Sequence, residues 1–330
     1  MASASPSSVS IDAADLGSAD IRRAATTIAS HIFHTPVLRS RGIDALSGAH
    51  LAFKCENFQR SGAFKFRGAC NAVWSLSESR AAAGVVTHSS GNHGAALALA
   101  ARTRGIAAHV VVPEGAVRSK LAAIAAYGAT IHTCAPTFAA RETMAERIRA
   151  ETGATLVHPF TDPAVIAGQG TAALELLAEA GDLEVLIAPV GGGGLIGGSA
   201  IAAKDHSASL RVFAAEPDGA ADAYESLRRG TRVTDIVPAT ISDGLRGTIG
   251  EPNLALLRRH AVEVLPVSDA ETVAAMRLVF ERMKIVIEPS SATALAAVLR
   301  YPAHFRGRRV GVILSGGNVD LDHMPWTPSA

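Results

Sequence analysis

Short runs of apolar residues alternate with longer segments of helical periodicity along most of the chain. The short runs are rich in Val, Ile and Ala and end at Gly or Pro, which is typical of buried strands. The longer segments repeat apolar residues every three or four positions, as helices packed on a sheet do. Strands are predicted at Leu51–Cys55, Val85–His88, Ala107–Val112, Thr130–Thr133, Thr155–Val157, Val185–Val190, Arg211–Ala215 and Arg309–Leu314. Helices are predicted at Ser18–Phe33, Gly68–Leu76, Ala95–Arg104, Val117–Tyr127, Phe138–Glu151, Ala164–Ala180, Leu195–Ala203, Asp269–Met283 and Ser290–Leu299.

This alternation of strands and helices indicates parallel βαβ units and therefore an α/β fold. A length of 330 residues suggests about two domains. The segment Met1–Asp20 is rich in Ser and Ala and has neither the basic nor the apolar region of a secretory signal, so we predict a disordered tail there. The uncharged run Val185–Ala203 is interrupted by glycines and Pro189, and we interpret it as a strand, a loop and a helix start rather than a membrane span.

Composition and charge exclude two classes of protein. The net charge is +1 and 18% of the residues are charged, so the sequence offers no basic surface for nucleic acid and no polybasic patch for a membrane. The three cysteines are too few and too widely spaced for a disulfide framework, and they fit a reducing compartment. We therefore expect a cytoplasmic protein.

The stretch Ser61–Gly68 places a single lysine, Lys65, among small and aromatic residues directly before a predicted helix. Lysines make up only 5 of the 31 basic residues, so the chain mostly uses arginine where only positive charge is needed. Unlike arginine, a lysine loses its proton readily when it is buried, and its amine then forms a Schiff base with an aldehyde. Lys65 therefore either holds an aldehyde cofactor or is a partly exposed lysine at a helix start.

Four consecutive glycines, Gly191, Gly192, Gly193 and Gly194, follow a predicted strand and open a helix. Backbone N–H groups at a helix start attract anions, and glycines allow an anion to approach them closely, so this turn fits a phosphate. The segment also contains G-x-G-x-x-G, and a strand ending at Glu216 follows it, so a dinucleotide site is an alternative. A tight strand-to-helix turn that binds no ligand is a further alternative, but such a turn needs fewer than four glycines.

A second strand-to-helix turn, Ser89–Gly94, carries two serines, an asparagine and a histidine. Its backbone donors and hydroxyl groups fit a carboxylate, and a serine near a lysine can move protons. The alternative is that a serine only caps the following helix. His88 and His93 do not have the spacing of metal ligands relative to other His or Cys residues, so we expect packed or hydrogen-bonded histidines.

Two further loops follow predicted strands. Glu216, Asp218 and Asp222 offer oxygen ligands for a hard cation, or they cap the next helix. The last strand leads into Ser315-Gly316-Gly317-Asn318, at the edge where doubly wound α/β domains bind ligands. The glycine pair in this loop permits close approach of a flat ring.

Five motifs, in this order, resemble one enzyme family. Over Ile21–Asp320 the chain is similar to the serine racemase and serine/threonine dehydratase family of pyridoxal-phosphate enzymes, which has fold type II and is related to the tryptophan synthase β-chain. The motifs are Ser61-Gly62-Ala63-Phe64-Lys65-Phe66-Arg67-Gly68-Ala69, Thr87-His88-Ser89-Ser90-Gly91-Asn92-His93-Gly94, Ala167-Gly168-Gln169-Gly170-Thr171, Gly191–Gly194 and Ser315-Gly316-Gly317-Asn318.

The resemblance implies two three-layer α/β domains with parallel sheets and the cofactor between them. We expect residues 1–20 to form the disordered tail, and residues 21–83 and 162–330 to form a large domain that binds pyridoxal phosphate. Residues 84–161 are expected to form a small, mobile domain that closes on the substrate.

The resemblance also assigns roles to individual residues. Lys65 forms the Schiff base, and Ser90 is the proton donor and acceptor on the opposite face of the cofactor ring. A divalent cation, Mg²⁺ with Mn²⁺ or Ca²⁺ as alternatives, is expected at Glu216, the Ala220 carbonyl and Asp222. Residues expected to contact the cofactor are Phe64, Lys65, Asn92, Gly191, Gly192, Gly193, Gly194 and Ser315. Residues expected to contact the substrate are Ser89, Ser90, Gly91, Asn92, His93 and Arg141.

The implied reaction is β-elimination from a β-hydroxy amino acid such as L-serine, L-threonine or 3-hydroxyaspartate, giving a 2-oxo acid and ammonia. Phe160 follows His158-Pro159, as in many dehydratases, whereas the racemases of the family have an asparagine there. A serine racemase with eliminase side activity is the alternative, and a nucleotide-binding module is a more remote one. For partners, we expect an amino-acid substrate and a second copy of the chain in a homodimer, but neither nucleic acid nor a membrane.

Overall fold

Two sheets organise the chain, and the computed structural model describes residues 12–116 and 118–326 of it. The strands in this part are β1 Val37–Leu38, β2 His50–Cys55, β3 Val85–His88, β4 Ala108–Pro113, β5 Thr130–Cys134, β6 Thr155–Leu156, β7 Val185–Pro189, β8 Arg211–Pro217, β9 Glu263–Val267 and β10 Arg309–Leu314. The larger sheet has the order β1-β2-β10-β7-β8-β9, and the smaller has the order β5-β4-β3-β6. All pairings are parallel except β1 with β2. The predicted α/β fold is confirmed.

Helices connect these strands and cover both faces of each sheet. In the described residues the helices are α1 Ser18–Ile28, α2 Arg41–Ser47, α3 Lys65–Trp74, α4 Glu78–Ala82, α5 Asn92–Arg104, α6 Arg118–Ala126, α7 Phe138–Thr152, α8 Pro163–Ala180, α9 Gly194–His206, α10 Asp222–Arg229, α11 Glu251–Arg259, α12 Asp269–Met283, α13 Pro289–Arg300 and α14 Pro302–Phe305. None of them is long and apolar enough to cross a membrane.

The core of the larger sheet is built by strict alternation of side chains along buried strands. In β7, Leu186 and Ala188 pack with α1, α8, α9 and α11 on one face. Val185 and Ile187 pack with α2, α12 and α13 on the other face. Because successive side chains of a strand point to opposite faces, a strand covered on both sides reads as a continuous apolar run. This explains why β7 and β10 were visible in the sequence.

The smaller sheet is covered in the same way by helices that follow its own strands. Val110 and Val112 of β4 pack with Ile124 of α6 and with α5. Val111, between them, faces the other side and packs with Ile148 of α7. This sheet and its helices lie within residues 84–161, the predicted small domain, although the mobility of that domain stays a prediction.

Parallel strands bring several loops to one edge of the larger sheet. Val310, Gly311 and Val312 of β10 lie opposite Val185, Leu186 and Ile187 of β7. The loops after these two strands, 190–193 and 315–318, therefore lie side by side at the carboxyl edge. Ligands of open α/β sheets bind at such edges.

The structure differs from the sequence predictions at the start of the chain. Residues 1–11 of the predicted disordered tail lie outside the described residues. The prediction is wrong for residues 12–20, which contain the 3-10 turn Ala13–Asp15 and the start of α1. Ala13 and Leu16 are 5% and 2% exposed because they pack into the core beside Ile21, and this burial orders the segment.

Several elements between the predicted ones were missed. They are β1, β9, α2, α4, α11 and α14. Strand β9 contains Pro266, which a sheet tolerates because β9 is an edge strand. A proline of this kind makes an edge strand resemble a loop when the sequence alone is considered.

Candidate active site

Lys65 is the first residue of α3 and follows a turn with two residues in the left-handed backbone region. Ser61 and Gly62 both have positive φ values, 59° and 76°. The Lys65 amine donates a 3.0 Å hydrogen bond to the carbonyl oxygen of Pro159. Burial lowers the pKa of Lys65 to about 8, and the negative charge of Glu288 opposes this shift. A lysine amine in this state is a nucleophile and a base near neutral pH.

The glycine loop Gly191–Gly194 packs against Phe160, the residue that follows Pro159. A Cβ atom on Gly192 would collide with the ring of Phe160, and one on Gly194 would lie 3.1 Å from the Phe160 carbonyl oxygen. Gly193 has a φ of 91°, in the left-handed region, where it caps the start of α9. The N–H groups of the first turn of α9 have no acceptor within the helix, so the loop presents donors and a positive dipole end to an anion.

Residues 158–160 join the lysine to the glycine loop. The Nδ1 atom of His158 accepts hydrogen bonds from the N–H groups of Phe160 and Thr161, at 3.4 and 3.1 Å. Burial lowers the pKa of His158 to about 3, so its ring is neutral and its proton is on Nε2. The amide of Asn253 donates a 2.8 Å hydrogen bond to the Phe160 carbonyl, which fixes the segment against α11.

The turn Ser89–Gly94 ends β3 and begins α5. Ser89 and Ser90 are half-buried, and Gly91 is the N-cap residue. The amide of Asn92 donates hydrogen bonds of 2.9 and 3.0 Å to both carboxylate oxygens of Glu288. The turn thus presents two hydroxyl groups and the first N–H groups of α5, a donor set that fits a carboxylate.

His93 is packed in the protein interior rather than exposed to the turn. It is 2% exposed, and neither ring nitrogen has a hydrogen-bond partner among the described residues. Burial and the charge of Lys65 lower its pKa well below the usual value. This position fits the predicted packed histidine, whereas it gives no support to the predicted contact between His93 and the substrate. The ring is close enough to Lys65 for the lysine charge to affect its pKa.

The loop after β10 packs against the turn that precedes Lys65. Ser315 is 2% exposed, and its carbonyl oxygen accepts a 2.9 Å hydrogen bond from the N–H of Phe64. A Cβ atom on Gly316 would lie 2.6 Å from a carboxylate oxygen of Glu288. A side chain at this position would therefore clash with the carboxylate of Glu288.

Glu288 is a buried carboxylate at the candidate site that was not among the residues predicted from the sequence. It is 3% exposed, and burial raises its pKa to about 6, while Asn92 and the charges of Lys120 and Lys65 oppose that shift. The available signal was an acidic residue within the apolar run Ile285–Ile287 and Pro289. A carboxylate in such a run is costly to bury unless it is hydrogen-bonded, so its presence indicates a specific partner.

Arg141, a predicted substrate residue, packs on an aromatic ring near the end of β3. Its guanidinium is 5.5 Å from the centre of the Phe138 ring, and this ring packs edge-on against His88 at 5.7 Å. Its Nε atom donates to the Thr137 carbonyl oxygen at 3.4 Å. One aromatic layer therefore separates Arg141 from the end of β3.

The predicted cation ligands are close together but already accept backbone hydrogen bonds. The carboxylate oxygens of Glu216 accept from the N–H groups of Ala223 and Tyr224, at 2.8 and 2.9 Å. Asp222 accepts a 2.7 Å hydrogen bond from the N–H of Ile249. Burial raises the pKa of Glu216 to about 8 and that of Asp222 to about 6.

The hydrogen bonds of Glu216 help to distinguish the three roles suggested by the sequence: binding a dinucleotide, binding a cation or capping a helix. Glu216 is fully buried and faces the start of α10, so it is not open to the ribose of a dinucleotide. Ala220 is also buried, in the turn between the two carboxyl groups, whereas Asp218 is exposed. Helix capping by Glu216 is therefore observed, and each of its oxygens retains a lone pair for a further ligand.

Known proteins resemble this chain along most of its length. The family described as "Pyridoxal-phosphate dependent enzyme" matches residues 28–316. The chain is 46% identical over 307 residues to the β-hydroxyaspartate dehydratase of Paracoccus denitrificans, covering 93% of this chain and 98% of that protein. It is 48% identical over 306 residues to a serine racemase of Dictyostelium discoideum, covering 92% and 94%. The structure of maize serine racemase superposes with a TM-score of 0.90 at 42% identity, covering 95% of both chains.

Proposed function

The chain belongs to the family of pyridoxal-phosphate dependent enzymes, and we propose that it catalyses β-elimination from a β-hydroxy amino acid. The resemblance predicted from the five motifs is confirmed by the family match. The substrate class comprises 3-hydroxyaspartate, L-serine and L-threonine, and the products are a 2-oxo acid and ammonia. The observation that carries this proposal is the buried amine of Lys65, which has a lowered pKa and lies across residues 158–160 from a glycine-lined helix start.

The residues around Lys65 fit pyridoxal phosphate. The loop Gly191–Gly194 offers N–H donors to its phosphate, in a cradle that a Cβ atom on Gly192 would fill. Phe64, Asn92 and Ser315 are the residues that would contact its ring. When bound, the cofactor supplies an aldehyde for the lysine and an electron-withdrawing ring that makes the Cα–H of an amino acid acidic.

The chain's own residues transfer the proton and bind the substrate. Burial lowers the pKa of Lys65 to about 8, so its amine can act as a base near neutral pH, and this amine accepts the Cα proton. The turn Ser89–Gly94 holds the substrate carboxylate, and the neutral His93 beside it adds no competing charge. The substrate loses the Cα proton and the β-hydroxyl group as water. The resulting enamine takes up water and gives the 2-oxo acid and ammonia.

A second activity, serine racemisation, is supported by the half-buried position of Ser90 in the turn that faces the substrate. A proton returned to Cα by Ser90 from the face opposite Lys65 inverts the substrate. The similarity to the Dictyostelium serine racemase supports this alternative. Elimination is favoured because Phe160 occupies the position after His158-Pro159.

We further propose a divalent cation, Mg²⁺ or alternatively Mn²⁺ or Ca²⁺, at Glu216, Asp222 and the Ala220 carbonyl. Two carboxyl groups with raised pKa values, buried side by side, are what a cation would neutralise, and oxygen donors suit a hard metal ion.

Closure of residues 84–161 on the substrate and assembly as a homodimer stay predictions, which scattering of the free and substrate-bound enzyme would test.

A screen of substrates tests the proposed function. The purified holoenzyme is incubated with L-serine, D-serine, L-threonine and both diastereomers of 3-hydroxyaspartate, and 2-oxo acid and ammonia are measured together. We expect equal amounts of both products from at least one L-β-hydroxy amino acid. Interconversion of the serine enantiomers without 2-oxo acid would replace elimination by racemisation as the main activity.

A further inference from the structure

A second lysine, Lys120, connects a helix beside the smaller sheet to a loop beside the larger sheet. It belongs to α6, which covers the smaller sheet, but its amine forms an ion pair with Asp243 on the side of the larger sheet. Asp243 begins the 3-10 turn Asp243–Leu245. This turn packs against the glycine loop so closely that a Cβ atom on Gly191 would lie 2.9 Å from the Cα of Leu245. Lys120 therefore ends beside the proposed cofactor-binding loop.

Lys120 is also close enough to Glu288 for the two charges to influence each other. Burial lowers the pKa of Lys120, and Glu288 opposes this shift. Glu288 is the carboxylate that holds Asn92. Lys120 is thus paired with Asp243 and lies within electrostatic range of the carboxylate that binds Asn92, and it has no role in the reaction described above.

The ion pair of Lys120 with Asp243 is exchangeable. The two side chains are 29% and 37% exposed, and ion pairs in contact with water contribute little to stability. Arg246, from the same loop as Asp243, donates hydrogen bonds of 3.1 and 2.6 Å to the Thr240 carbonyl oxygen. It has no carboxylate partner among the described residues. This region therefore holds an arginine with no ion-pair partner in the described part of the chain, beside a lysine whose one ion pair there is with the partly exposed Asp243.

We propose that Lys120 is a specificity-determining residue that binds the second carboxylate of a dicarboxylic β-hydroxy amino acid in place of Asp243. This inference rests on the proposed function and names 3-hydroxyaspartate as the preferred substrate class within it. A substrate with a neutral side chain leaves Lys120 paired with Asp243. A dicarboxylic substrate gains a charge-assisted hydrogen bond from Lys120, and Arg246 adds to the positive field around it.

The test compares two substrates in matched variants of the holoenzyme. For Lys120→Met, we expect the ratio of kcat/KM for 3-hydroxyaspartate to kcat/KM for L-serine to fall about 10- to 100-fold, mostly through KM, because a charge-assisted hydrogen bond is lost. Lys120→Arg should restore part of the ratio. Lys204→Met is the control, since Lys204 bonds only to the carbonyls of Ala208 and Leu210 at the end of α9.

A second variant separates substrate recognition from a structural tie between the sheets. Asp243→Asn frees Lys120 and should lower the KM for 3-hydroxyaspartate, and it should also strengthen inhibition by malonate relative to acetate. A rise in that KM, or an unchanged substrate ratio in Lys120→Met, would overturn the inference. If the wild-type enzyme turns over L-serine but shows no preference for 3-hydroxyaspartate, the inference also fails while the proposed function stands. Turnover of no substrate at all would overturn both.

Discussion

The amine of Lys65 donates a 3.0 Å hydrogen bond to the carbonyl oxygen of Pro159, a residue 94 positions further along the chain. The next residue, Phe160, covers Gly192 of the glycine loop. One short segment therefore contacts both the candidate nucleophile and the candidate phosphate site. The same packing buries the amine and lowers its pKa, so the position of the lysine and its reactivity have one physical cause.

The pH dependence of cofactor capture tests the state of Lys65. Because burial brings its pKa from 10.5 to about 8, the free-amine fraction rises with pH and is nearly complete about one unit above that value. We expect the rate at which the cofactor-free protein incorporates pyridoxal phosphate to rise about tenfold per pH unit below pH 8 and then to level off. Absorbance near ~410 nm follows the incorporation. Lys65→Ala should show no covalent incorporation after borohydride treatment, and a rate that keeps rising to pH 10 would contradict the lowered pKa.

Substitution at Gly192 tests the phosphate cradle. A methyl group there meets the Phe160 ring, so Gly192→Ala should weaken pyridoxal phosphate binding by about tenfold or more, as overpacking does elsewhere. The dissociation constant for the cofactor-free protein is the measurement. Gly42→Ala is the matched control, because its nearest new contact is an arginine methylene at 3.7 Å. Equal affinities of the two variants would show that this loop does not hold the cofactor.

Ser90 distinguishes the two proposed activities. Removing its hydroxyl group removes the proton donor opposite Lys65, but the lysine still abstracts the Cα proton. We therefore expect Ser90→Ala to lower serine racemisation by about 100-fold and to leave most of the elimination, following the usual size of an acid–base contribution. Chiral chromatography and 2-oxo acid release measure the two rates. Ser209→Ala, at an exposed serine paired with Ser207, is the control. Parallel loss of both rates would argue against the two-base assignment.

Cation binding should depend on pH in a direction set by the carboxyl groups. Burial raises the pKa of Glu216 from 4.5 to about 8, so the folded state binds its proton more tightly than the unfolded state does. The cation-free protein therefore loses stability as the pH rises from about 4.5 to about 8. A cation replaces the proton, so Mg²⁺ at a hundred times its dissociation constant should add about 2.7 kcal/mol near pH 8 and much less near pH 5.

Thermal unfolding with EDTA or with excess MgCl₂ measures this effect. Glu216→Gln should abolish the Mg²⁺-dependent stabilisation. Asp218→Asn should retain it, because Asp218 is exposed in the same turn. An equal response of the wild type to Mg²⁺ at both pH values would exclude a site at these carboxylates.

Arg67 supports the lysine turn from within the protein. Its guanidinium is fully buried and is held by Glu56 and Glu175 through four hydrogen bonds of 2.7 to 2.8 Å. Arg67→Met leaves the buried Glu56 without its partner, so the free energy of unfolding should fall by about 3–5 kcal/mol. Urea denaturation measures the change. Arg149→Met, which breaks an exposed pair with Glu146, should leave stability nearly unchanged, and similar values for both variants would contradict the argument.

Most of the fold was readable from the sequence where strands are covered on both faces. The bounds of β10 and α12 match the predicted ones, and those of β7 and α8 differ by one residue. The missed strand β9 lies at the sheet edge, where a proline is tolerated and the apolar run is interrupted. The order of the strands was not readable, because periodicity reports burial and not which strand is the neighbour.

The sequence by itself determined the chemistry of each turn: a lysine among small residues, four glycines before a helix, and a serine-rich turn. These signals depend on local backbone conformation, which neighbouring residues fix. Only the tertiary structure decided that Glu288 holds Asn92 across 196 residues and that Lys120 meets Asp243 across 123. Such contacts follow from the order of strands and from side-chain burial, and both depend on the whole chain packing at once. Burial then sets the pKa values of Lys65 and Glu288, which no short stretch of sequence specifies.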